Sequence, residues 1–164
     1  MSKSKFEQSI ESGEHAQLAK FEGKWEGITK TWFEPDVLHD ESPMTGTIKP
    51  VLDGRFMLYE YKGSMTGKPL EGIAIIGYDI TNSNYQIAWV DSFHMSTGIM
   101  LSEGKPATPI SVLGSYGSPE MPEPWGWRTT IELSTDDQLI ITHYNIIPNE
   151  GEAKAVETVY NRVS

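Results

Sequence analysis

From Gly23 to the C-terminus, stretches rich in β-branched and aromatic residues are broken by Gly, Pro, Asn and Asp at intervals of roughly 8–12 residues, the spacing of short strands in a sandwich or barrel. The pattern predicts strands over 24–34, 44–52, 56–62, 70–78 and 85–92. It predicts five more over 95–102, 110–115, 127–133, 139–146 and 153–163. The breaks have a mechanism, because Asp53-Gly54 and Thr81-Asn82-Ser83-Asn84 tolerate the positive φ that tight antiparallel hairpins require. The segment 118–124 carries three prolines, which cannot join a ladder, so it reads as a loop across one end of the sheet.

Helical signal is confined to the start. Ser12-Gly13-Glu14 offers an N-cap and an early acidic residue ahead of Ala16, Leu18, Ala19 and Phe21, which predicts one short helix ending near Gly23. Residues 1–12 are polar and read as a flexible tail, leaving 13–164 as a single domain. About ten short strands joined by short loops make an antiparallel all-β meander. Ile73-Ala74-Ile75-Ile76 and Leu139-Ile140-Ile141 are apolar on both faces, so the side of each strand that points inward stays open.

A helix, then Gly23-Lys24-Trp25 opening the first strand, then a meander, then Tyr160-Asn161-Arg162 in the last strand is an order that resembles the calycin superfamily of lipocalins and fatty-acid-binding proteins. The resemblance implies a lipocalin-like closed barrel in which Gly23, Trp25, Tyr160 and Arg162 are structural. In such barrels the tryptophan plugs the closed end and the arginine stacks over it. Further fragments are Phe21-Glu22-Gly23-Lys24-Trp25, Leu52-Asp53-Gly54-Arg55-Phe56, Gly77-Tyr78-Asp79 and Trp89-Val90-Asp91-Ser92. With these the chain is similar, over nearly its whole length, to an uncharacterised bacterial domain-of-unknown-function family (the 1579 type) with a lipocalin-like barrel. That family has no established activity, so the resemblance implies a fold and no catalytic residue.

Composition narrows the chemistry. The 164 residues contain no cysteine, which excludes disulfides, thiolate metal sites and a cysteine nucleophile. A net charge of −10 disfavours nucleic acid and anionic membrane surfaces as partners. No apolar run reaches the roughly 18 residues of a membrane-spanning helix, and the polar start does not read as a signal peptide, so the expected location is the cytoplasm.

Specific motifs are sparse. Gly63-Ser64-Met65-Thr66-Gly67 is not a nucleophile elbow, because its serine stands one place early. Asp91-Ser92-Phe93-His94 holds triad residue types, but continued strand alternation would put Asp91 on the face opposite Ser92 and His94. The acidic stretch 36–41 around His39 reads as a solvated hairpin loop without a calcium-loop pattern, and no metal site is expected. Walker and dinucleotide loops are absent. Asp79 reads as a turn cap and Glu60 as solvent-facing. For Asp91, beside Trp89, a structural and a chemical role both stay open.

Aromatic stripes are the most informative feature. Met57, Tyr59 and Tyr61 share one face, Tyr85, Ile87 and Trp89 another, and His143 lies with Leu139 and Ile141. Such stripes are usually core, but a barrel of about ten strands has room for a small ligand. Tyr59, Tyr61, Trp89, His94 and His143 are therefore the candidate ligand-binding residues, and a small, mostly apolar molecule is the expected partner. Asp91, His94 and His143 are the catalytic candidates if the barrel is instead an acid–base enzyme. Trp125-Gly126-Trp127 reads as part of a lid or as an anchor for the proline-rich loop. A third reading is a filled scaffold that binds another protein, or forms a homo-oligomer, through an apolar patch near Ile146-Ile147-Pro148 or the Trp125 loop. No cofactor is expected; haem, which some calycin barrels carry on an axial histidine such as His94 or His143, has no specific motif here.

Overall fold

The computed structural model describes residues 2–164. Its ten strands are β1 (Gly23–Glu34), β2 (Val37–Val51), β3 (Phe56–Met65), β4 (Lys68–Asp79), β5 (Asn84–Asp91), β6 (Met100–Gly104), β7 (Ile110–Tyr116), β8 (Trp125–Thr135), β9 (Gln138–Ile147) and β10 (Gly151–Arg162). Each pairs antiparallel with its neighbours in sequence, and β1 closes against β10, so the meander forms a barrel with no free edge. The hairpins turn where the sequence allows left-handed backbone: Asp53 and Gly54 have φ of 59° and 83°, and Ser83 has 56°. No helix among the described residues is long and apolar enough to cross a membrane.

Three segments differ from the sequence reading. The stretch read as a flexible tail contains helix α1 (Lys5–Ser12), because the Ser4 hydroxyl accepts from the Glu7 N–H at 3.1 Å and supplies an N-cap. The predicted helix, α2 (Glu14–Ala19), follows and ends earlier than expected. The acidic stretch 36–41 is not an extended loop: Asp36, at φ 61°, makes a tight turn and β2 begins at Val37. Lastly, β5 ends at Asp91 and β6 starts only at Met100, leaving a turn-rich connection where the sequence reading begins its next strand at 95.

Alternation sets the direction of most strand side chains. Trp25, Met44, Ile48, Met57, Tyr59, Leu70, Ala74, Ile76, Tyr85, Ile87, Trp89 and their counterparts on β6–β10 point inward and are buried. Ile73, Ile75, Leu101 and Leu113 point out and are exposed, which accounts for strands that are apolar on both faces. Ile146, Ile147 and Pro148 are half-buried.

One end is sealed. Leu18 of α2, Phe21, Trp25, Tyr85, Leu139 and Tyr160 pack there, and the Trp25 indole donates to the Phe21 carbonyl at 3.0 Å. The Arg162 guanidinium lies 4.3 Å above the Trp25 ring and donates to the carbonyls of Lys20, Glu22 and Asp136. Gly23 has to be glycine: its φ is +153°, and a Cβ there would stand 2.6 Å from Arg162 Nη1. The seal leaves the opposite end, where β1, β5 and β9 finish at Glu34, Asp91 and Ile147 and β8 begins at Trp125, as the way in.

Candidate functional site

Register assembles the polar residues of the interior in rows. Across β3, β4 and β5, Tyr61 pairs with Gly72 and Gly72 with Asp91. The Tyr61 ring lies flat over Gly72, where a Cβ would come within 2.2 Å of it. It can therefore cross the intervening strand and donate from its hydroxyl to Asp91 Oδ2 at 3.1 Å. That same oxygen of Tyr61 accepts from Trp89 Nε1 at 2.8 Å. A second row runs through Thr31, Val156, His143 and Thr129 on β1, β10, β9 and β8. There the Thr129 hydroxyl bonds His143 Nδ1 at 2.8 Å.

The end of β5 brings His94 back over the mouth. Asp91 Oδ1 accepts from the backbone N–H groups of Phe93 (3.0 Å) and His94 (2.6 Å), a turn that reverses the chain. His94 Nδ1 then meets Asp91 Oδ2. Strand alternation would separate Asp91 and His94, but the strand has already ended, so the two form a dyad. Ser92 takes no part, since its hydroxyl accepts from the Glu71 N–H outside. Burial by itself would raise the Asp91 carboxyl, but the His94 ring and the two N–H groups outweigh it and hold the carboxyl below its usual range. Because an ionised carboxylate only accepts, His94 Nδ1 carries the proton, and in the neutral ring Nε2 is a bare acceptor.

Trp89 is the hub of the aromatic cluster. His143 stacks on it at 5.3 Å and 7°, Trp127 at 5.7 Å and 16°, and His94 sits against it at 5.3 Å and 44°. The surface that His143 retains faces this interior rather than bulk water. Burial, with the neighbouring His94 adding to it and the Asp91 carboxylate opposing, pushes the His143 imidazole down to about 3, so it is neutral at physiological pH.

Two adjoining chambers result. The inner one, about 50 Å³, is lined by all five candidate residues: Tyr59, Tyr61, Trp89, His94 and His143. Tyr59 belongs to its floor, with its hydroxyl bonded to that of Tyr160. The outer chamber, about 160 Å³, lies at the mouth between Phe33, Met95, Met100, Tyr116, Trp127 and Asn145. Thr31, Trp89, His94 and Val156 line both. Three buried polar atoms make no hydrogen bond among the described residues: Thr31 Oγ1, His94 Nε2 and Trp127 Nε1. All three residues line the outer chamber.

Thr31 and Thr129 are missing from the sequence reading, and Trp127 enters it only with the proline-rich loop. Trp125 packs edge-on to Tyr116, whereas Trp127, two places on, faces the chamber. Asp79 accepts from the Thr81 and Asn82 N–H groups and caps its turn, and Glu60 is exposed. His39 stacks on Phe33 at 4.0 Å on the rim. No group of three or more His, Asp or Glu side chains is gathered for a metal ion among the described residues.

No curated protein matches the chain. Among solved structures, an S-type phycobiliprotein lyase CPES from Guillardia theta superposes over 99% of each chain with a TM-score of 0.58 at 8% identity. At that identity the likeness is one of fold alone. The sequence profile of one family covers residues 11–162. With nearly the whole barrel inside that match, the chain belongs to the family described as Protein of unknown function (DUF1579).

Proposed function

We propose that this protein binds a small, mostly apolar molecule in the barrel, with the ligand body in the outer chamber and its polar end at His94. One observation carries the reading: three buried polar atoms without partners belong to residues that line a single aromatic-walled chamber. Native proteins pair nearly all buried polar groups, and an unmade hydrogen bond costs on the order of 1–3 kcal/mol. A ligand that supplied the missing partners would recover that cost, while its apolar body gained contact with Trp89, Trp127 and Tyr116.

Native mass spectrometry on freshly purified protein, paired with a denatured run, tests the proposal. A bound mass that disappears on denaturation is the expected result. The proposal is overturned by a clean apo mass together with no change in tryptophan emission on titration with toluene.

A second reading, acid–base catalysis, is favoured by one feature, the Asp91 carboxylate on His94 Nδ1 with Nε2 left without a partner. Returning the recovered compound to apo protein separates the two. A carrier gives it back unchanged, and an enzyme converts it.

A further inference from the structure

We infer that the outer chamber is built for a single-ring phenol, whose one hydroxyl partners His94 Nε2, Trp127 Nε1 and Thr31 Oγ1 together. The inference rests on the proposal that this chamber is a ligand site, and it names the ligand's chemistry.

The hydrogen-bond inventory makes the choice. With Nδ1 committed to the Asp91 carboxylate, the neutral form of His94 presents a lone pair at Nε2 and takes a donor there. Trp127 Nε1 can only donate and needs an acceptor, and the Thr31 hydroxyl serves as either. A hydroxyl has one proton and two lone pairs, so a single oxygen satisfies all three. A carboxylate has no proton for Nε2, an ammonium has no lone pair for the indole, and an ether or ketone leaves Nε2 unpaired. Among hydroxyls, a phenol is the more acidic and the stronger donor to an imidazole.

The walls and the size select the ring. Trp89, Trp127 and Tyr116 offer flat faces and edges, and Met95 and Met100 supply thioethers that pack well on aromatic rings. The chamber's volume of about 160 Å³ is close to the roughly 150 Å³ of an apolar cavity that takes up benzene. Asp91 acts here as a positioning residue: it never meets the ligand but fixes which ring nitrogen of His94 is bare.

Isothermal titration of the full chain with phenol, toluene, anisole and cyclohexanol tests each part. Phenol and toluene differ by a hydroxyl against a methyl at almost constant shape. The expected result is phenol tighter than toluene and anisole by tenfold or more, and tighter than cyclohexanol. Equal binding of phenol and toluene would overturn the hydroxyl assignment while leaving the ligand site standing, since water would then serve the three atoms. Cyclohexanol as tight as phenol would overturn the aromatic assignment. If none of the four binds and native mass spectrometry shows a bound mass, the chamber takes ligands but not phenols; if nothing binds, the ligand-site proposal itself fails.

Asp91→Asn adds a reading that a merely structural role would not give. The amide can donate to His94 Nδ1, which moves the ring proton to Nε2 and turns the acceptor into a donor. Anisole, whose oxygen can accept from both N–H groups, then closes its gap to phenol, which keeps its advantage over toluene by giving its proton to Thr31. An unchanged gap between anisole and phenol in a folded Asp91→Asn protein would contradict the assigned role, and the wild-type series decides the ligand class whether or not that variant folds.

Discussion

His94 and His143 stand against the same indole but do different work. His94 holds a proton on the nitrogen facing Asp91, whereas His143 is kept neutral by burial with its imidazole pushed down to about 3. In the unfolded chain a histidine takes up its proton near pH 6.5. Below that pH the unfolded state therefore binds a proton that folded His143 refuses. Its contribution to stability is complete above about pH 6.5 and is lost as the pH falls toward 3, at up to about 1.4 kcal/mol per pH unit. His15, lowered chiefly by burial, acts with the same sign, and Asp91 joins only near the ordinary carboxylate range. Urea unfolding at pH 7, 6 and 5 should show stability falling with acidity, with a visibly flatter slope in His143→Gln. Identical slopes in the two proteins would mean that His143 is protonated in the folded state.

Strands were legible and their ends were not. All ten appear where β-rich stretches are predicted, and at Asp53-Gly54 and 81–84 the turn chemistry agrees as well. The connection after β5 is different, since Asp91 reverses the chain with its own side chain, a bond that alternation of residue types does not record. Likewise, α1 depends on one serine cap ahead of a polar helix with no buried residue. Closure of the barrel was readable from Gly23, Trp25 and Arg162, and it makes a clear prediction. Arg162→Ala removes the cation–π contact and donors to three carbonyls at the seal, and should cost about 2–3 kcal/mol in urea unfolding, allowing for the partial exposure of the side chain. Arg162→Lys should recover little, because an ammonium cannot span that fork. A change below about 0.5 kcal/mol in Arg162→Ala would show that α2 and the aromatic plug seal the barrel without it.

At the scale of the whole molecule, the five aromatic and histidine candidates converge on one interior because long-range register, not local sequence, brings β3, β5 and β9 around it. Thr31 went unseen although the plug residue Trp25 fixes the inward face of β1, from which Gly27, Thr29 and Thr31 follow by twos. A small hydroxyl residue gives no hydrophobic signal, and only the closed barrel shows that Thr31 has no partner. Trp127 was visible as an aromatic, but its unpaired N–H was not. The central claim is that Thr31, His94 and Trp127 form one ligand site, and the Trp127 indole reports on it directly. The measurement is a ¹H–¹⁵N spectrum of the five indole N–H groups during titration with phenol, with the Trp127 resonance assigned through Trp127→Phe. A saturable downfield shift of that resonance, with Trp25 at the sealed end unmoved, is the predicted result. A Trp127 resonance that stays fixed up to the solubility limit would contradict it.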